Sequence, residues 1–404
     1  MGTLADSLAR WAHEFDPGAD DLALAQRSLT DTAAVALAAR GDPVPQVAAA
    51  LPDAERWAVA AHVLDFDDLH IESTTHISAV VVPAALAAGG GAESYLAGAG
   101  VMARLGAALG WDHYSAGWHA TSTAGAPAAA AAAGRALGLP APELATAMAL
   151  AVPAAGGVQR AFGTHGKSLQ VGFAAGAGVR AAQLARSGAS ADPAALEEWL
   201  RLVGGDPAAV DPTGPAVPGG LAIKVFPCCY AMQRPIAALR ELREDVVGPV
   251  RRVRIRTPEA AVRPLIHDWP ETGLEGKFSL GYAAATALLD PYPEFESFSD
   301  AAVLRPAARE ILSAVELEPV AGGSGLLTGE VDIEVEHDDE PMRVRLEQPP
   351  GAPSRPAGES ELAAKLAACG ADVPALLDGL SWGSARSLLA STYPAGRAAA
   401  EEAP

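Results

Sequence analysis

The chain has 404 residues, of which half are apolar and only 5% aromatic, so Ala, Leu and Val supply most of the apolar content. This length favours two domains over a single core, and the Ala-rich composition favours closely packed helices. The formal net charge of -20 argues against nucleic-acid binding and against docking on anionic lipid.

The first half of the chain has helical periodicity almost throughout. From Leu4 to about Leu200, apolar residues recur at steps of three and four, and Pro and Gly separate the segments. The predicted helices include Leu22–Arg40, Ala54–Asp68, Ser94–Leu109, Ala126–Leu137 and Gly172–Arg186. The N-terminus lacks the apolar core of a signal peptide, and the short run Ala128–Ala133 is no membrane span. No membrane partner is therefore expected. The three cysteines, Cys228, Cys229 and Cys369, form no disulfide framework, so we expect a cytoplasmic protein.

The pattern changes after the Pro- and Gly-rich connection Gly204–Gly220, which we interpret as a domain boundary. Arg252–Thr257 alternates and predicts a strand, and Gly329–Glu336 with Met342–Leu346 predicts a hairpin. Helical patterns lie between these strands, at Pro235–Val246, Phe278–Leu289 and Ala301–Ala314. This stretch therefore has the pattern of an α+β unit.

After a second connection, Glu359–Ala390 is again helical in pattern. We therefore predict a mainly α protein with an inserted α+β domain. Residues 1–222 and 357–404 would form the helical domain, and residues 223–356 the inserted domain.

Lysine is rare in this chain: only four of its 29 basic residues are lysines. Lys167 lies in Gly163–Ser168 and Lys224 in Lys224–Cys229. Both segments could begin a helix, where free backbone N–H groups favour anions. Two interpretations are open: these lysines bind the carboxylates of a substrate, or they are solvated lysines on loops.

Histidine and aspartate are concentrated in one short stretch. It contains His62, Asp65, Asp67, Asp68, His70, Glu72 and His76. At helical spacing His62, Asp65 and Leu69 would share one face. The stretch could be an acid/base site in which Asp orients His, or a solvated helix end. It could also be the metal site of a hydro-lyase, with Asp65, Asp67, His70 and His76 as ligands.

Two more residues are candidates for chemistry. His119 precedes a Thr/Ser cluster that can cap the helix Ala126–Leu137. It either faces an anion at the helix N-terminus or merely packs at the cap. Tyr282 is either a proton donor to a developing carbanion or a half-buried helix residue with one hydrogen bond.

Taken in this order, these segments resemble the MmgE/PrpD family. The matching stretches are His62–Leu69 with His76 and Ile77–Ala88, Gly117–Leu139, Gly163–Ala185, Lys224–Leu239 and Lys277–Leu289. The resemblance rests on the ordered set rather than on any single motif. It implies a large all-helical domain, a smaller α+β lid and an active site in the cleft between them. It also implies homodimers and no required cofactor.

The resemblance further implies a set of site residues. The catalytic positions would be Asp65, His76, His119, Lys167, Lys224 and Tyr282, and the substrate-binding positions Leu69, His165, Lys167 and Lys224. No metal ligand is expected among them. Leu69 stands where the family's aspartate motif usually continues with threonine, and the spacing to His76 is one residue longer. Both departures put the usual substrates in question more than the fold.

Known activities of the family are dehydration of 2-methylcitrate, decarboxylation of cis-aconitate and epimerisation of iminodisuccinate. Each develops negative charge on a carbon next to a carboxylate, so fixed cations are required there. We predict a cofactor-independent lyase of the 2-methylcitrate dehydratase type, acting on a small anionic di- or tricarboxylate. His76, oriented by Asp65, would be the acid/base, with Tyr282 as a second proton carrier. The alternatives are a decarboxylase, an epimerase or, in another class, a non-catalytic helical scaffold.

Overall fold

The structure, a computed structural model, describes residues 2–322 and 327–396. The chain forms two compact units. Unit 1 comprises Met1–Ala161, His165–Leu221 and Cys369–Pro404, and unit 2 comprises Phe162–Thr164 and Ala222–Ala368. The fold is mainly helical with a small α+β part, as the sequence predicts.

Unit 1 is built from helices. In its first part these are α1 (Leu4–Glu14), α2 (Ala19–Ala38), α3 (Pro43–Val47), α4 (Asp53–His62), α5 (Ile77–Ala87), α6 (Ala92–Ser115), α7 (Ala120–Ala136), α8 (Ala141–Ala151), α9 (Gly166–Arg186) and α10 (Ala194–Leu202). Among the described residues, no helix is both long enough and apolar enough to cross a membrane.

Unit 2 combines helices with a small sheet. Its helices are α11 (Tyr230–Leu242), α12 (Glu259–Val262), α13 (Gly273–Gly276), α14 (Leu280–Leu289), α15 (Asp300–Leu304), α16 (Pro306–Ser313) and α17 (Glu359–Ala368). Its strands are β1 (Arg252–Pro258), β2 (Val315–Val320), β3 (Val331–Glu336) and β4 (Met342–Leu346). The chain then returns to unit 1 with α18 (Val373–Leu376) and α19 (Trp382–Thr392).

Helix α7 is the centre of unit 1. Every residue from Ala120 to Gly134 is buried, as expected for a helix that is apolar on all sides. It packs against α5, α6, α8 and α9. A Cβ added at Gly178 of α9 would lie 2.4 Å from the Cβ of Ala129 and from the backbone N of Ala130. The close approach of α7 and α9 therefore requires glycine at this position.

The sheet of unit 2 has the strand order β2-β1-β3-β4. Strand β1 is parallel to β2 and antiparallel to β3, and β3 and β4 form the predicted hairpin. Ile255 is opposite Leu317 on one side and Ile333 on the other. Val253 and Ile255 are buried, as their alternation with arginine predicts. Strand β2, with the sequence VELEPV, was not predicted.

Several predicted helix boundaries are wrong, among them that of α9, which begins at Gly166 rather than at Gly172. The helix predicted to continue to Asp68 ends at His62, and α7 begins at Ala120 rather than at Ala126. The Thr/Ser cluster after His119 therefore lies inside α7 and is not its cap. The predicted helix Ala301–Ala314 is broken at Arg305 (ψ 137°) because Pro306 disfavours a helical residue before it.

Candidate active site

Apart from His62, which is the last residue of α4, the His/Asp stretch lies on the loop between α4 and α5. Asp65 turns the chain after α4 with a φ of 55°, a left-handed conformation in which Asp is enriched among non-glycine residues. Backbone hydrogen bonds between His70 and Thr75 close the loop. The loop ends at His76, which is the N-cap residue of α5. The histidine and aspartate side chains of this stretch are thus buried, whereas Glu72 is exposed.

Asp67 joins two histidines through one carboxylate oxygen. Its Oδ2 lies 2.7 Å from Nδ1 of His62 and 3.1 Å from Nδ1 of His76. Nδ1 of His76 also lies 3.0 Å from the backbone carbonyl oxygen of Asp68. The sequence analysis chose Asp65 to orient His76, whereas the structure has Asp67 and the Asp68 carbonyl at Nδ1 of that ring.

Asp65 forms a buried ion pair with Lys167. The lysine Nζ donates to Oδ1 of Asp65 over 2.7 Å, and the two side chains are 9% and 4% exposed. Lys167 lies in the first turn of α9. All four lysines of the chain are buried, so the interpretation of solvated lysines on loops is wrong for Lys167 and Lys224.

His119 is the N-cap residue of α7. Its Nδ1 lies 2.7 Å from Nε2 of Gln170, which belongs to α9, and 3.2 Å from Oγ of Ser122. The backbone N–H of Val158 donates to Oε1 of Gln170 over 2.9 Å, and Nε2 of Gln170 lies 3.3 Å from the Val158 carbonyl oxygen. This two-point contact fixes the amide orientation, because a backbone N–H can only donate and a carbonyl can only accept.

These contacts bring three helix N-termini together. His76 begins α5, His119 begins α7, and Lys167 lies at the beginning of α9. The backbone N–H of His76 donates to Oγ1 of Thr121 over 3.1 Å, which links the first turns of α5 and α7. The ring of His62 stands 4.6 Å from that of His76 and 6.0 Å from that of His119, measured between centroids. Helix N-termini carry partial positive charge, so the arrangement favours an anion.

Burial controls the charges of the cluster. It lowers the pKa of His62, and it lowers the pKa of His119 well below its usual value, with Lys167 acting in the same direction on both. Burial alone would raise the pKa of Asp67, but the facing imidazoles of His62 and His76 hold it well below its usual range. These shifts favour the ionised form of Asp67 and the neutral forms of His62 and His119.

The same residues are close enough to be considered as metal ligands. One ligand atom from each of His62, Asp65, Asp67 and His76 lies within 4.8 Å of the others. However, two ligands of a tetrahedral zinc ion lie about 3.3 Å apart, given metal–nitrogen distances of about 2.0 Å. The 2.7 Å distance between Oδ2 of Asp67 and Nδ1 of His62 is shorter and is that of a hydrogen bond, and Oδ1 of Asp65 is hydrogen-bonded to Nζ of Lys167. These three ligand atoms are thus engaged in hydrogen bonds, which favours an acid/base cluster over a metal site that would use them.

The predicted metal set also included His70, which is engaged elsewhere. Its Nδ1 lies 2.7 Å from Oγ of Ser73 and its Nε2 lies 2.6 Å from the carbonyl oxygen of Pro218. The structure therefore does not assemble that set. Leu69 is 2% exposed and has no side-chain group that can hydrogen-bond, and His165 is exposed before the first turn of α9.

The other two predicted catalytic residues belong to unit 2. Lys224 is fully buried. Tyr282, on α14, is also buried, and its hydroxyl donates to the carbonyl oxygen of Ser297. Burial raises the pKa of Tyr282. A cavity of about 750 Å³ in unit 2, with Leu265, Ile266 and mainly other apolar residues in its wall, contains none of the predicted site residues.

Three polar residues of the cluster were absent from the predicted site. His62 and Asp67 stand in the His/Asp stretch, and their short spacing to Asp65 was the available signal. Gln170 gave no signal, because a single glutamine on an Ala- and Gly-rich helix has no distinguishing pattern. Nε2 of His62 and Oδ1 of Asp67 are buried without a hydrogen-bond partner among residues 2–322 and 327–396.

Comparisons with known proteins identify the family of this chain. The MmgE/PrpD N-terminal domain matches residues 53–202, and the MmgE/PrpD C-terminal domain matches residues 226–375. A cis-aconitate decarboxylase from Aspergillus terreus is 27% identical over 333 residues, which cover 71% of this chain and 68% of the relative. The human cis-aconitate decarboxylase is 29% identical over 293 residues, which cover 64% of this chain and 60% of the relative. The mouse protein of the same name is 28% identical over 291 residues, which cover 64% of this chain and 59% of the relative.

The two domain matches cover most of the chain, and the histidines, aspartates and Lys167 of the cluster all fall within the first of them. Family membership and these relatives support an enzyme and set aside the scaffold alternative. The chain therefore belongs to the MmgE/PrpD family and is an enzyme of the lyase type.

Proposed function

We propose that this enzyme removes a carboxylate group from a small polycarboxylate such as cis-aconitate, without a cofactor. One observation carries the proposal: Lys167, His76 and His119 meet at three helix N-termini inside unit 1. That arrangement supplies fixed positive charge and imidazole groups for proton transfer in one buried place. A reaction that develops negative charge beside a carboxylate needs both.

Binding comes first in this scheme. The substrate carboxylates face the N-termini of α5 and α7 and the ammonium of Lys167, which Asp65 holds in place. His119 is neutral, so it donates one N–H to a carboxylate oxygen without adding a charge. Because these groups are fixed before the reaction, they need little reorganisation as charge develops.

The reaction then follows from the position of the proton on His76. The bond between the substrate carbon and one carboxylate breaks, and carbon dioxide leaves. The electron pair stays on the carbon skeleton, conjugated with a remaining carboxylate. His76, protonated at the start of this step, gives the proton on Nε2 to carbon, while its Nδ1–H remains bonded to Asp67 and to the Asp68 carbonyl. A solvent proton restores His76 for the next turnover.

The names of the relatives favour decarboxylation over the dehydration we predicted from the sequence. Dehydration and epimerisation would use the same groups, but the proton would move in the opposite direction: neutral His76 would take an α-proton from the substrate at Nε2. Leu69 offers no hydrogen bond to the substrate, so we expect this enzyme to process cis-aconitate less efficiently than a variant with threonine at this position would. Lys224 and Tyr282, which the resemblance adds, remain proposed site residues. The homodimer, the absence of a cofactor and the cytoplasmic location remain predictions.

The test is proton NMR of the purified enzyme in D2O with cis-aconitate, 2-methylcitrate, citrate and iminodisuccinate. We expect cis-aconitate to lose one carboxylate and to gain one deuterium at carbon. Lys167→Ala should lower this rate by about 100-fold or more. Arg186→Ala, an exposed arginine at the other end of α9, is the matched control and should keep the wild-type rate.

The outcomes separate the alternatives. If 2-methylcitrate is converted to an alkene, the enzyme is a dehydratase and not a decarboxylase. If iminodisuccinate exchanges its α-proton for deuterium without net conversion, the enzyme is an epimerase. Full turnover by Lys167→Ala would refute the proposed role of the cluster. If none of the four compounds reacts or exchanges, the proposed substrate class is wrong.

A further inference from the structure

The hydrogen-bond partners of His76 determine which of its nitrogens carries the proton. Nδ1 faces two oxygens, the Asp68 backbone carbonyl at 3.0 Å and Oδ2 of Asp67 at 3.1 Å. A carbonyl oxygen can only accept a hydrogen bond, and so can an ionised carboxylate. Nδ1 must therefore be protonated. When His76 is neutral, its lone pair lies on Nε2.

The same oxygen of Asp67 acts on His62. Its distance to Nδ1 of His62 is 2.7 Å, shorter than its distance to His76. Both side chains are fully buried, so water does not compete with this contact. Neutral His62 is thus held with its proton on Nδ1 and its lone pair on Nε2. Among the described residues, that nitrogen has no hydrogen-bond partner.

His119 is held in the opposite form. Because Val158 fixes the amide of Gln170, the group facing Nδ1 of His119 is the NH2, which can only donate. Nδ1 of His119 therefore carries the lone pair, and the proton of the neutral ring lies on Nε2. Ser122, at 3.2 Å from the same nitrogen, can donate as well.

We infer that Asp67 and Gln170 are positioning residues that hold the histidines of this cluster in opposite tautomers. Asp67 keeps the proton of His76 and His62 on Nδ1, so that Nε2 is the atom at which each ring gains or loses a proton, and Gln170 fixes neutral His119 as a hydrogen-bond donor at Nε2. This difference in tautomer gives the two histidines different roles. His76 exchanges a proton with the substrate carbon, and His119 stabilises negative charge on a substrate oxygen. The catalytic part of this inference rests on the proposed function, whereas the tautomers do not depend on it.

The test is 15N NMR of the full chain labelled at the ring nitrogens of its nine histidines, with assignment by single His→Gln variants. In the wild type, His62 and His76 should give the signals of the Nδ1–H tautomer and His119 those of the Nε2–H tautomer. In Asp67→Asn, the amide can present an NH2 to one ring, so at least one of the two histidines should change to Nε2–H. Asp68→Asn is the control, because Asp68 contacts His76 through its backbone and should leave that tautomer unchanged.

Kinetics give a second readout that a purely structural role would not produce. Asp67→Asn should lower kcat by about 100-fold or more while KM changes little, since Asp67 positions the acid/base and does not bind substrate. Gln170→Glu, whose carboxylate would accept from Nδ1, should move His119 to the other tautomer. The inference is overturned if Asp67→Asn leaves both tautomers unchanged, whatever the activity. If the tautomers are as inferred but no compound of the panel reacts, only the proposed function fails.

Discussion

Breaking the ion pair between Asp65 and Lys167 should separate the stability of the cluster from its activity. The contact is 2.7 Å long and nearly inaccessible to solvent. At an effective dielectric constant of about 20, two unit charges at that distance attract by about 6 kcal/mol. Lys167→Met keeps most of the side-chain volume but leaves a carboxylate unneutralised close to Asp67. Loss of one partner of a buried pair costs about 3–5 kcal/mol of stability.

The second variant in this experiment is the double substitution Asp65→Asn with Lys167→Met, which removes both charges. It should recover at least about 2 kcal/mol of the lost stability, because no buried carboxylate then lacks its cation. Turnover should not recover, since the ammonium that stabilises the developing charge is still absent. Both variants should be slower than the wild type by about 100-fold or more.

The assays are urea unfolding followed by far-UV circular dichroism, and product formation measured by NMR. A double variant that is no more stable than Lys167→Met would show that the two charges are not energetically coupled. A double variant with wild-type turnover would refute the assignment of Lys167 to the chemistry, even if the stability result were as expected.

Three further predictions concern pH, packing and substrate preference. Burial, with repulsion from a nearby carboxylate, raises the pKa of Asp68 to about 7, so this group stabilises the fold at low pH and loses that contribution as the pH rises to 7. The free energy of unfolding of Asp68→Asn, relative to that of the wild type, should therefore rise by about 3 kcal/mol between about pH 5 and pH 8. If urea unfolding gives the same difference between the two proteins at both pH values, this reasoning is wrong. Gly178→Ala should destabilise unit 1 by about 1–3 kcal/mol, because its Cβ would lie 2.4 Å from atoms of α7. The control Gly383→Ala, which has open space around it on α19, should be neutral or stabilising, and thermal unfolding measures both. Leu69→Thr should raise kcat/KM for cis-aconitate by about 10-fold, the contribution of one hydrogen bond, and an unchanged kcat/KM would exclude Leu69 as a determinant of substrate choice.

Much of the fold could be predicted from the sequence because it depends on local periodicity. Steps of three and four in Ala-rich segments predicted helices, and the alternation in Arg252–Thr257 predicted β1. Boundaries failed where a single backbone conformation decided them, at Asp65 with its left-handed φ and at Arg305 before proline. Strand β2, an exposed edge strand in which Val315 and Leu317 alternate with glutamates, was missed, and its pairing with β1 is a long-range contact.

For the candidate site too, some features could be predicted from the sequence and others required the tertiary structure. The sequence by itself determined which residue types are available: a few lysines in an arginine-rich chain and a dense run of histidine and aspartate. Only the tertiary structure decided the partners, pairing Lys167 with Asp65 across 102 positions and His119 with Gln170 across 51. The first pair depends on how α9 packs against the loop after α4, and the second on how α7 and α9 pack. Neither packing can be deduced from sequence spacing. The proton positions on the histidines follow from these partners, so they too were decided by the tertiary structure.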